Sequence, residues 1–183
     1  MSQRLHTGRL VLTPQDPYLV PEDPASLFDA LRDIGLITSL LEAEQGYLLG
    51  EAFMQLITFM GCSPFIRLEP DQSGEPFCHL RVDGPHSEPI LLTGKNSLPP
   101  RCKACRKRIS DWQSEPQQLA ECPRCGHRQD PASYDFKQSA GFGRFLLKIE
   151  NIFPQEAIPS PRLLEFLQQA SNGAPWHHFY QQD

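Results

Sequence analysis

The sequence contains no long apolar run. Its most apolar window, AFMQLITFMG (52–61), is far shorter than the roughly 20 residues a membrane span requires, so no membrane partner is expected. The opening residues, MSQRLHTGRLVLTPQDP, carry neither an apolar core nor a small-residue cleavage site, and a secretory leader is not expected. A cytoplasmic protein follows as the expectation. The chain has no Gly-Lys-Ser/Thr phosphate loop, no Gly-x-Ser-x-Gly turn and no His-Glu-x-x-His helix. GFGR (141–144) lacks the third glycine and the preceding strand of a dinucleotide fingerprint, and reads instead as a flexible linker. The carboxylates are scattered through loops, so no acid/base pair stands out and no residue is singled out as catalytic.

What is present suits a folded chain with one domain, or one domain carrying a small insertion. It has 183 residues and 39% hydrophobic content, enough for a core. The 18 prolines fall between apolar runs rather than inside them, as loop punctuation. Charge is unevenly spread. Residues 101–128 hold seven Lys or Arg and three Asp or Glu, a balance of +4, within a chain of net −5; the remainder therefore carries −9. A small basic segment sits in an acidic body.

GRLVLT (8–13) reads as a strand. Asp23 as N-cap and Pro24 at the first helical position open a helix that places Leu27, Phe28, Leu31 and Ile34 on one face and stops at Gly35. A short helix is expected over 36–45; residues 50–61 read as either a buried helix or a strand, and the good helix formers Glu51, Ala52, Met54, Gln55 and Leu56 favour the helix. FIRLE (65–69), FCHLRV (77–82) and PILLT (89–93), separated by turn-forming residues, read as a meander of three strands. GRFLLKIENIF (143–153) is strand-like. Ser160 and Pro161 lead a second capped helix with Leu163, Leu164, Phe166 and Leu167 inside and Asn172-Gly173 at its end, and WHHFY (176–180) is a final strand. The pattern predicts an α+β fold: a mainly antiparallel sheet with two to three helices packed on it. Residues 1–97 and 137–183 would form one α+β domain, with 98–136 inserted.

Four of the six cysteines lie in RCKACRKRISDWQSEPQQLAECPRCGHR (101–128), as Cys102-x2-Cys105 and Cys122-x2-Cys125 with sixteen residues between the pairs. Two residues between thiolates let one tight turn aim both sulfurs at a single ion, and two such turns complete a tetrahedral four-sulfur site suited to structural Zn2+. Pro123 stiffens the second turn and Gly126 can take a positive φ after it. These residues resemble the zinc-ribbon family, a knuckle-and-hairpin module, over about 28 residues. The first knuckle departs from the pattern, since Arg106 stands where glycine is common, and a less regular turn is expected there. A rubredoxin-type iron site uses similar knuckles but is wrapped in aromatic residues, and only Trp112 lies inside this loop. A dithiol redox pair is the other alternative; two pairs in this arrangement favour metal.

The basic residues have several readings. Arg101, Lys103, Arg106, Arg124 and Arg128 would balance the formal −2 charge of a zinc tetrathiolate. Arg106, Lys107, Arg108, Trp112, Arg124 and Arg128 are also the candidates for partner binding. The expected role is non-enzymatic: a zinc-binding adaptor or accessory subunit whose partner is another protein. The second reading is a nucleic-acid-associated protein using the basic segment, opposed by the acidic body. The third is an enzyme working in a cleft of the α+β body. Cys62 and Cys78 read as buried structural cysteines. His177 and His178, adjacent on a strand, should point to opposite faces and not share a metal.

Overall fold

The computed structural model describes residues 8–60, 66–110, 112, 119–153 and 155–183. In chain order the elements are β1 (Gly8–Pro14), α1 (Pro24–Asp33), β2 (Ile37–Leu41), β3 (Gly46–Leu49), α2 (Phe53–Leu56), β4 (Ile57–Phe59) and β5 (His79–Asp83). There follow β6 (Ile90–Leu92), β7 (Ala120–Glu121), β8 (Arg128–Gln129), β9 (Gly141–Gly143), β10 (Leu146–Glu150), β11 (Ala157–Pro159), α3 (Pro161–Ala170) and β12 (Trp176–Gln182). Six strands form one antiparallel sheet in the order β12-β1-β10-β5-β3-β2, and β4–β11, β6–β9 and β7–β8 make three two-stranded pairs. The fold is α+β. No helix among the described residues is long and apolar enough to cross a membrane.

Alternation along the strands divides the sheet into two faces. Leu10, Leu12, Leu80, Leu147 and Ile149 face α1 and α3 and share one core with Leu27, Leu31, Leu163 and Leu167, all fully buried. Each fully buried leucine contributes about 1.5–3 kcal/mol relative to exposure. Val11, Leu146 and Phe179 face the other way and are covered by Ile90 and Leu92 of β6. The rest of that second face is ionic: Arg9 Nε donates to Glu150 Oε2 at 2.8 Å, and Lys148 pairs with Asp83.

Both capped helices form where the sequence predicts. The Asp23 carboxylate accepts the Ser26 N–H at 3.1 Å, and Ser160 Oγ accepts the Leu163 N–H at 3.2 Å. Phe28, Ile34, Leu164 and Phe166 pack at the margin of the core.

Four sequence expectations are corrected. Residues 36–45 hold β2 and a single 3-10 turn instead of a helix: Ile37 is buried opposite Leu49, and a strand places it there. Among the described residues of the 50–61 run, only Phe53–Leu56 is helical. The chain then extends as β4, because Ile57 and Thr58 are β-branched and pair with Ala157–Pro159. There is no meander: residues 66–69 lie outside any strand, β5 pairs with β10 and β3, and β6 pairs with β9. Residue 65 lies outside the described residues, as does Cys62.

Finally, GFGR is no flexible linker. Gly141, Phe142 and Gly143 form a buried strand against the sheet. A Cβ on Gly141 would stand 2.5 Å from the Phe179 ring, so glycine is what lets β9 approach this closely. Cys78 is buried, and burial, reinforced by the Glu150 carboxylate, pushes its thiol well above the ordinary range.

A candidate metal centre

The two Cys-x-x-Cys turns fold alike. In the first, Arg106 N–H donates to Cys102 O at 2.9 Å and Cys102 N–H to Lys107 O at 3.0 Å. In the second, Gly126 N–H donates to Cys122 O at 2.9 Å and Cys122 N–H to His127 O at 2.9 Å. Arg106 and Gly126 occupy the same left-handed position, with φ of 61° and 70°. The first turn is therefore as regular as the second, contrary to expectation. Arg106 takes the conformation that glycine adopts freely, at a cost of about 1–2 kcal/mol.

Each turn sits on its own hairpin. A bridge between Arg101 and Arg108 carries the first, with Asp135 bridged to Arg101 on the far side. Strands β7 and β8 carry the second. The hairpins bring all four sulfurs within 4.8 Å of one another. Cys102 Sγ lies 3.8 Å from Cys125 Sγ, and Cys105 Sγ lies 3.9 Å from Cys122 Sγ. Disulfides would need about 2.05 Å. A tetrahedron with metal–sulfur bonds of 2.3 Å has edges of roughly 3.8 Å, so these separations fit one ion held by four thiolates. The Cys122 thiol is already lowered to about 7, because it accepts the backbone N–H groups of Arg124 and Cys125. Such bonds hold the sulfur in its metal-binding form. No other group of three or more metal-ligating side chains converges among the described residues, and His177 and His178 do not join one.

Burial is graded across the cluster: Cys102 and Cys122 are buried, Cys105 is half-buried and Cys125 is exposed. The inner side rests on a small separate core of Ile109, Ala132, Tyr134, Phe136, Ala140 and Phe142. Trp112 packs edge-on against Phe136, with ring centroids 5.1 Å apart. The sequence reading found only that one aromatic near the site. Tyr134, Phe136 and Phe142 arrive from downstream of the second knuckle, so scarcity of aromatic residues does not discriminate zinc from iron here.

Sequence reasoning also missed Gln129 and Asp135. Gln129 is buried and its Oε1 accepts the Lys103 N–H at 3.0 Å, tying β8 to the first knuckle. Asp135 meets Lys137 at 2.9 Å and Arg106 at 3.6 Å. A signal existed in QDPASYDF (129–136), where polar and aromatic residues alternate just after the module.

Arg106, Lys107, Arg108, Arg124 and Arg128 are all exposed. Of these, only Arg106 has an ion-pair partner among the described residues. Comparison of the chain with protein-family models, curated proteins and solved structures finds no match.

Proposed function

We propose that this chain is a cytoplasmic zinc protein that acts by binding, with residues 98–136 as an inserted zinc-ribbon module on an α+β domain formed by 1–97 and 137–183. Cys102, Cys105, Cys122 and Cys125 hold one Zn2+ in a closed structural site, which leaves no open coordination position for catalysis. The basic module, or the adjoining α+β surface, docks onto another protein.

The observation that carries the docking reading is the exposure of five cations around the cysteine cluster, four of them without an ion-pair partner among the described residues. A tetrathiolate's formal −2 charge accounts for two of the five. Leu98 and Leu119, exposed at 48% and 60%, lie at the start of the module and just before its second knuckle, and supply apolar contact area that a protein partner would use and a phosphate backbone would not.

Elemental analysis of purified protein should give about one zinc per chain. Iron with a thiolate-to-iron absorption band, or no metal at all, overturns the zinc assignment. Changing Arg106, Lys107 and Arg108 together to Glu should leave zinc content and melting temperature near wild type while partner capture falls, because exposed charges add well under ~1 kcal/mol each to stability yet steer association. Unchanged capture places docking on the acidic body. A uniform loss of nucleic-acid affinity in this variant, with a shallower salt dependence, would favour the nucleic-acid reading instead.

A further inference from the structure

The segment leaving the module does not run straight into β9. It arches beside β12, one of the two edge strands of the six-stranded sheet, and is fastened there by Gln138. The Gln138 carbonyl accepts the Tyr180 N–H at 2.9 Å, and its side-chain amide donates to His178 Nε2 at 3.3 Å. Lys137 and Gln138 hold φ of 52° and 64°, two consecutive left-handed residues without a glycine. Such a backbone persists only where its surroundings enforce it, and it recurs where ligands bind.

Between this arch, the loop after β1, the first knuckle and β9 lies an open cleft of about 540 Å³, within the range of small-molecule sites. Phe142 and Phe179, 4% and 1% exposed, underlie its floor, and His177, Gln15 and Gln138 contribute neutral polar groups. Lys137 lines it too, but its ammonium is held by Asp135 at 2.9 Å. Lys103 is the lining cation that no carboxylate engages among the described residues. The side-chain amide of Gln15 and the imidazole of His177 likewise have no hydrogen-bond partner among them. Burial, with a smaller contribution from His178, lowers His177 to about 4, so it meets a ligand as a neutral donor and acceptor.

Two alternative occupants fit less well. Strand addition to β12 is blocked from Tyr180 to Gln182, where Gln138, Asn96 and Lys95 already take the outward backbone groups. Ser133 is not placed for covalent chemistry, since its Oγ donates to Asp130 O at 2.7 Å.

We infer that the cleft between the cysteine module and β12 binds a nucleotide-like ligand, a planar heteroaromatic ring carrying one phosphate. The ring would lie on the floor above Phe142 and Phe179 and exchange hydrogen bonds with His177, Gln15 and Gln138; the phosphate would meet Lys103. Free mononucleotides and single-stranded nucleic acid share this chemistry.

The test titrates the zinc-loaded full chain with AMP, GMP, CMP and UMP, with the matching nucleosides, and with a short single-stranded oligonucleotide, by calorimetry. At least one mononucleotide should bind. Lys103→Ala should weaken it about 10-fold or more, the loss of one charge-assisted hydrogen bond, and leave the nucleoside unaffected. His177→Asn should weaken both. Lys103 is exposed, so its variant should keep zinc and melting temperature, and it remains informative if His177→Asn fails to fold. Oligonucleotide binding that mononucleotides displace, with the same loss in Lys103→Ala, assigns the ligand to a strand. No mononucleotide binding up to about 5 mM overturns the proposal, as does nucleotide or oligonucleotide binding that Lys103→Ala leaves unchanged.

Discussion

The sheet body and the cysteine module hold together by different means. In the body, leucines from β1, β5, β10, α1 and α3 meet in one continuous core, together with Phe53, Phe145 and Trp176. In the module, β7 and β8 are two residues each, the first hairpin rests on isolated bridges, and the separate core beneath it contains eight buried residues among those described, two of which are Cys102 and Cys122. Apolar burial is therefore enough for the body, while the module's geometry centres on the point where its four thiols meet. The body should therefore tolerate loss of the module's centre, and the module should not.

The sharpest break of that comparison is Cys122→Ser. It removes a ligand from the centre, and structural zinc in small domains supplies apparent binding energies of about 10–16 kcal/mol at neutral pH. Zinc content should fall to near zero and amide protection should vanish over 101–136, while the amides of β1, β5 and β10 stay protected in hydrogen exchange. Loss of protection across the whole chain would show that the two regions are not separable.

Leu163→Ala makes the opposite cut. Leu163 is fully buried between α3 and the sheet, and its truncation should cost about 2–5 kcal/mol. Chemical denaturation should show the drop, with zinc stoichiometry unchanged below the transition. A variant that sheds zinc before the body unfolds would contradict the separation.

His177 lies between the two regions, and its effect depends on pH. Burial, then His178, lowers its pKa from 6.5 to about 4 in the folded state. The unfolded chain therefore takes up the proton more readily. The stability contribution is full above about 6.5 and is lost as pH falls towards 4, up to about 3 kcal/mol at about 1.4 kcal/mol per pH unit. Thiolate protonation also destabilises the module in acid, but it is common to both proteins when wild type is compared with His177→Asn. The variant should show a shallower fall in stability between pH 6.5 and 4.5. Parallel curves would remove His177 as the cause.

The smallest effect is expected at Arg106. Arg106→Gly relieves a left-handed residue and loses only an exposed 3.6 Å contact with Asp135, while glycine's greater freedom in the unfolded chain offsets part of the gain. A net stabilisation of about 0.5 kcal/mol, confined to hydrogen exchange in the module, is expected. Destabilisation would mean that the Arg106 side chain holds the knuckle.

Much of this contrast was legible in the sequence, for local reasons. The Asp23-Pro24 and Ser160-Pro161 caps act over three residues and marked both long helices. The two Cys-x-x-Cys turns are likewise defined by residues within a few positions of each other. Reading failed where the deciding neighbour was remote. Residues 37–41 and 57–59 became strands because Tyr47, Leu49 and Ala157–Pro159 offered them edges. GFG became a buried strand because Phe179, some forty residues on, needed a glycine above its ring.

The site divides along the same line. Short-range chemistry in the sequence determined the α+β class, the two capped helices and the four thiols, because caps, turn residues and ligand spacing act within one turn of chain. Only the tertiary structure decided the order of the six strands, the aromatic bed of Tyr134, Phe136 and Phe142 beneath the cysteines, and the cleft that joins Lys103 to His177. Those depend on burial shared between segments far apart in sequence, as β1 and β12 or Lys103 and His177 are, and no local pattern encodes which distant surface will cover which.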